Sequence, residues 1–100
     1  MALRHVVLFR FGEGTTDEQV QALADGLDGM PKAVGVMLDY RHGRDLGINE
    51  ASYDYAVVGD FATVDDYVTY RDHPDHRALI RDLVTPIVAD RFSVQFSLGD

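Results

Sequence analysis

The stretch Tyr70-Arg71-Asp72-His73-Pro74-Asp75-His76 gathers a tyrosine and two of the chain's four histidines around a proline. An imidazole titrates at about pH 6.5, so it is the side chain best placed to take up a proton near neutrality. A phenol about one and a half helical turns upstream can donate a hydrogen bond to an oxygen on which negative charge then develops. His76 is thus a candidate base and Tyr70 a candidate donor. The plainer reading of both is that His76 is a buried histidine bonded to a backbone carbonyl or to another imidazole, with Tyr70 as cover, because any buried polar group needs a partner.

The other histidines divide by position. His5 shares its strand parity with Val7, Phe9 and Phe11, so it is expected to face the same interior as His76 and could orient it. His73 precedes Pro74 and reads as a helix cap. His42, in Tyr40-Arg41-His42-Gly43, stands near a strand end and is expected to meet solvent. A metal site would need His73 and His76 with Asp72 or Asp75, or His5 with His76, but His73 lies outside the helix and no third ligand is indicated beside either pair of imidazoles, so no metal is expected. There is no GxGxxG or P-loop pattern and no cofactor is expected. The absence of cysteine removes disulfides, thiolate nucleophiles and cysteine-held metal clusters.

These residues must be held by the elements around them. Leu3 to Phe11 reads as a strand with both faces buried, and Thr15 with Glu18 as a capping box opening a helix whose stripe is Val20, Leu23, Leu27 and Met30. Gly29 and Pro31 are expected to end that helix. Val34 to Tyr40 and Tyr53 to Phe61 form a long hairpin around the loop 43–50. Thr63 caps a second helix with Val64, Tyr67, Val68 and Arg71 along one side and Tyr70 at its edge. The residue before a proline is pushed out of helical geometry, so that helix breaks at Pro74. A third helical stretch follows, with His76, Leu79, Ile80, Leu83, Val84 and Ile87 on one stripe and an ending near Pro86. Arg91 to Leu98 alternates as a last strand.

The order β, α, β, β, α, β predicts an α+β fold, the ferredoxin-like βαββαβ plait with a four-stranded antiparallel sheet, as one domain over residues 1–100. Helices cover one sheet face. Val6, Leu8, Ala56 and Val58 on the other face need a second copy, so a homodimer packed sheet on sheet is expected. Arg10, Asp54, Asp60, Arg91 and Gln95 are expected to share that interface. The chain's 17 acidic and 9 basic residues, a formal charge of -8, oppose nucleic acid and anionic membrane surfaces as partners. The short, interrupted apolar run at the amino end predicts no signal or spanning segment, hence a cytoplasmic protein.

The strand RHVVLFRF, the loop GRDLGINE before YDYAVVGDF, and HPDH at a helix start together resemble the stress-responsive A/B barrel family over almost the whole chain. The resemblance implies dimeric α+β barrels. Through the family's plant polyketide cyclases it further implies an intramolecular aldol closure run by a histidine with tyrosine support, at positions matched here by His5, Tyr70 and His76. It aligns Leu27 with a pocket tyrosine of those cyclases, and Phe92 and Val94 with the strand that carries their orienting carboxylate. The expected pocket for a small apolar or carbonyl-rich ligand is lined by Val7, Phe9, Leu23, Leu27, Val57, Tyr67, Leu79 and Leu83 around the three polar residues. The rival readings are a non-catalytic stress or ligand-binding barrel and, by fold analogy, a cofactor-free monooxygenase.

Overall fold

The computed structural model describes residues 1–99. Its strands are β1 (Leu3–Phe11), β2 (Met37–Arg44), β3 (Tyr55–Phe61) and β4 (Val88–Ser97), in the sheet order β2-β3-β1-β4. Every neighbouring pair is antiparallel. Helices α1 (Asp17–Asp28) and α2 (Met30–Val34) follow β1; α3 (Val64–Asp72), α4 (Pro74–Leu79) and a π-helical turn (Ile80–Val84) follow β3. This is the ferredoxin-like plait, with all helices on one face of the sheet.

In β1, Leu3, His5, Val7 and Phe9 are buried beneath the helices, while Leu8 and Arg10 are exposed. Only one face of the strand is therefore covered within the protomer, not both, because no element of this chain crosses the other side. The α1 cap lies one residue later than Thr15. Thr16 Oγ1 accepts from the Gln19 amide at 3.1 Å, and Gln19 Oε1 accepts from the Thr16 amide at 2.9 Å. Thr15 instead donates its hydroxyl to the Gly12 carbonyl at 2.7 Å, closing the turn after β1. Pro31 does not end α1 but sits in the first turn of α2, where its missing N–H would be unpaired anyway. That short helix takes Val34 and ends at Gly35, whose φ of 80° suits glycine. β2 therefore starts later than expected and runs on through His42 and Gly43, paired with Val57 and Ala56.

The break between α3 and α4 falls at Pro74. His73 is extended (φ -61°, ψ 136°), and its Nδ1 accepts from the Asp75 amide at 3.1 Å. In α3 the inward residue is Tyr70, whereas Val64 is 50% exposed. Of the expected row, Val64 at the start of the helix is turned out, Tyr67 and Val68 are half-buried, and Tyr70 at its edge is the most deeply buried. After Leu79 the helix widens: the Thr85 amide donates to the Ile80 carbonyl, five residues back, at 2.8 Å. Pro86 has no N–H and its ring crowds the carbonyl four residues before it, so the chain loosens one turn ahead of the proline.

β4 reverses one expectation. Leu8 pairs with Phe92, Val6 with Val94 and Arg4 with Phe96, which puts the apolar residues of β4 on the open face; Phe9 pairs with Arg91, Val7 with Ser93 and His5 with Gln95. Arg91 and Gln95 therefore lie on the helix side, not the open side. The rule that apolar residues point at their own helices fails here, because the face they do line is itself broadly apolar. Asp60 is on the open face as expected, held by Arg4 through Nε and Nη2 at 2.8 and 2.9 Å. Asp54 instead turns back to accept from the Phe11 amide at 2.8 Å.

Candidate functional site

Between the helix side of the sheet and the α3–α4 break lies a cavity of about 230 Å3. Its apolar wall is Val7, Phe9, Leu27, Val57, Leu79, Ile80 and Val84; its polar groups are His5, Tyr67, Tyr70, Arg71, His76, Arg91 and Ser93. The volume is below the roughly 300–1,000 Å3 of pockets for drug-sized ligands, so it suits a small one. Leu23 and Leu83 do not line it. Leu23 is fully buried behind the wall, and Leu83 fills the notch left by Gly26, where an added Cβ would stand 2.6 Å from its Cδ1. Arg71, Ile80, Val84, Arg91 and Ser93 join the lining beyond the expected set; the parity of β4 carries the signal for Arg91 and Ser93. Phe92 and Val94, aligned by resemblance with the carboxylate-bearing strand, face away, so no carboxylate from β4 reaches His76.

The His73-Pro74 cap sets the direction of α4 and so turns His76 inward. His76 Nδ1 faces the Arg71 carbonyl oxygen at 3.1 Å. A carbonyl only accepts, so Nδ1 carries the proton and Nε2 keeps its lone pair. Every fully buried side-chain nitrogen and oxygen among the described residues has a partner. Nε2 of His76 has none among the described residues and so borders accessible space. Burial holds the His76 pKa below its ordinary value; the Arg71 carbonyl works against this, and Arg91 and His73 add to it.

His5, on the neighbouring wall, has the opposite tautomer. The Gln95 amide nitrogen approaches its Nδ1 at 2.8 Å, so Nδ1 accepts and the ring proton sits on Nε2. Burial, followed by the charges of His76 and Arg91, lowers the His5 pKa to about 4. Near neutrality the site therefore holds two uncharged imidazoles, one with a free acceptor nitrogen and one with a free N–H.

Tyr70 lies against His76, ring centroids 4.1 Å apart, and its hydroxyl meets that of Tyr40 at 2.8 Å. Burial raises the Tyr70 pKa to about 12, so it stays protonated. When Tyr40 donates, the Tyr70 proton is free for a ligand, which makes Tyr40 a positioning residue that the sequence did not single out. Tyr67 packs on His5 at 4.9 Å between centroids. His42 is not a solvent histidine: its side chain is 10% exposed and bridges the Tyr55 hydroxyl at 2.7 Å and Asp28 Oδ1 at 2.6 Å, tying β2 to β3 and α1. It is outside the cavity. Among the described residues no three His, Asp or Glu side chains cluster as a metal site, and no helix is long and apolar enough to cross a membrane.

Residues 3–98 match the profile of the stress responsive A/B barrel domain. A dimeric ferredoxin-like protein of unknown function from Thermobifida fusca is 41% identical, with a TM-score of 0.91, and the match covers 98% of this chain and 92% of that one. A Dabb-family protein from Mesorhizobium loti with a ferredoxin-like fold is 23% identical, with a TM-score of 0.80 and 98% of both chains covered. The hydroxynitrile lyase of Passiflora edulis shares the fold at 16% identity and a TM-score of 0.86, over 99% of this chain and 94% of that one. No curated protein matches the sequence.

Proposed function

The chain belongs to the stress responsive A/B barrel domain family, and from that premise we propose that it is a cofactor-free acid–base catalyst acting on a small carbonyl compound. His76 is the base, and His5 and Tyr70 are the hydrogen-bond donors. The observation that carries this reading is the free Nε2 of His76 at the cavity wall, with Nδ1 held by the Arg71 carbonyl. In the proposed step, Nε2 takes a proton from a carbon beside a carbonyl. The C–H electron pair becomes the C=C bond of an enolate, and the carbonyl pair moves to oxygen. That oxyanion is met by the Nε2–H of His5 and the Tyr70 hydroxyl; a neutral imidazole serves well as such a donor. The enolate carbon then adds to a second carbonyl, and the His76 imidazolium returns its proton to the alkoxide.

Two further points support the reading. A depressed pKa keeps His76 in its basic form throughout the neutral range. The Passiflora edulis protein, an enzyme, uses the same fold. We further propose that the chain works as a homodimer joined through its open sheet faces, as its Thermobifida fusca relative is dimeric.

Hydrogen–deuterium exchange at the benzylic carbon of phenylacetone, followed by NMR, tests the base. The native protein is expected to accelerate exchange, and His76→Ala to lose at least about a hundredfold of that acceleration while remaining a folded dimer. Equal exchange in the two proteins would sink the proposal. It would favour the second reading, a ligand-binding barrel without chemistry, for which the small size of the cavity speaks.

A further inference from the structure

The charge around the cavity runs against that of the chain. Acidic residues outnumber basic ones 17 to 9, yet among the described residues no Asp or Glu lines the cavity, whose charged residues are Arg71 and Arg91. The two arginines differ. Arg71 is engaged by Asp72, through Nε at 2.9 Å and Nη2 at 3.1 Å. Arg91 stands beside Phe9 in the sheet and is exposed at the cavity's edge. Among the described residues no carboxylate lies within 4.0 Å of its guanidinium. Its charge nevertheless reaches the cavity, because it opposes protonation of both His5 and His76. Ser93, two residues along the same face of β4, brings a hydroxyl to the same wall.

A guanidinium without a counter-ion, at the edge of an apolar-walled cavity whose imidazoles are neutral, is a fork for one planar anion. We propose that the cavity takes a small organic carboxylate, its carboxylate on Arg91 and Ser93 and its apolar body against Phe9, Val57 and Leu79. This deepens the proton-transfer reading by giving its substrate class, and rests on that reading only for the choice of cavity. One unpaired guanidinium matches a single negative charge, and in a chain of net charge -8 this local cation also draws an anion to this opening over the rest of the surface.

Calorimetric titration with phenylacetate and the neutral phenylacetamide tests the proposal without any turnover. The native protein is expected to bind phenylacetate about tenfold more tightly than the amide. Arg91→Gln, at an exposed position, is expected to erase that preference without changing affinity for the amide, and Arg91→Lys to restore part of it. Equal binding of the two probes by the native protein, binding of neither, a preference that survives in Arg91→Gln, or tighter binding of phenyl phosphate than of phenylacetate would each overturn it. Loss of phenylacetone exchange leaves this result untouched. A protein that exchanges phenylacetone but ignores the carboxylate keeps the catalytic reading while this one fails.

Discussion

The two cavity histidines are chemically distinct because each has a different nitrogen engaged: His76 gives its Nδ1–H to the Arg71 carbonyl, and His5 Nδ1 accepts from Gln95. The Gln95 donor favours the neutral His5 ring, whereas for His76 burial keeps the ring neutral against the pull of the Arg71 carbonyl. For His5 the consequence extends to stability. Its folded pKa of about 4 lies below the ordinary 6.5, so the unfolded chain binds this proton more readily than the folded one. The contribution is fully present above pH 6.5, is lost progressively as pH falls toward 4, and levels off below that. Discounted for water reaching the cavity, the loss is about 2 kcal/mol. Urea unfolding at a series of pH values is expected to show this decline in the native protein and a flatter curve for His5→Asn across the same window. Asp60, whose pKa Arg4 holds below the carboxylate range, titrates beneath that window and leaves the comparison clear. The sequence made the pair of histidines legible through strand parity and helix spacing. It could not reveal their partners, since Gln95 and the Arg71 carbonyl become partners only once β4 and the α3–α4 break are in place.

At the scale of elements, His73-Pro74 connects local sequence to the site: the cap ends α3 with Tyr70 inward and starts α4 with His76 inward. Local rules were enough to find it, since a residue before proline leaves helical geometry and an imidazole can accept from an amide. The same rules misplaced what depends on neighbours. Thr15 and Thr16 are equally good caps by type, and the turn bond from Thr15 to Gly12 decided between them. β2 extends past its expected end because its polar residues Arg41, His42 and Arg44, which resemble loop by type, pair along β3 as an edge strand. Gly59 shows how a sheet position serves the site from beneath. A Cβ there would stand 3.1 Å from Phe61 Cε2 and 3.2 Å from Tyr40 Cδ1, so its absence gives the Tyr40 ring room to reach Tyr70. Gly59→Ala is expected to displace these rigid rings and destabilise the fold by about 1–3 kcal/mol, read by urea unfolding. An unchanged midpoint would mean that the rings have slack and that Tyr40 is not held by this packing.

Across the whole molecule, the unresolved demand is the open face of the sheet. Phe92, Val94 and Phe96 are 56%, 55% and 46% exposed, and they stand beside Val6 and Leu8 in one continuous patch. A contiguous apolar surface of this kind is unusual on a monomer and is the mark of an interaction site. The sequence showed that this face needed a cover but understated how apolar it is, because Arg91 and Gln95 were assigned to it. With those residues turned toward the helices, the central charges on the face are Arg4 and Asp60, which already satisfy each other. A second copy can therefore cover them without leaving a charge unpaired, so desolvation of that pair costs less than it would for two separate ions. Val94→Asp places an unpaired carboxylate in the middle of the patch, opposite Val6. In sedimentation the native chain of 11.1 kDa is expected to run at twice its mass and Val94→Asp at the mass of one chain, with hydrogen exchange in α1 and α4 unchanged because those helices pack on the other side. A Val94→Asp protein that remains dimeric would place the interface elsewhere.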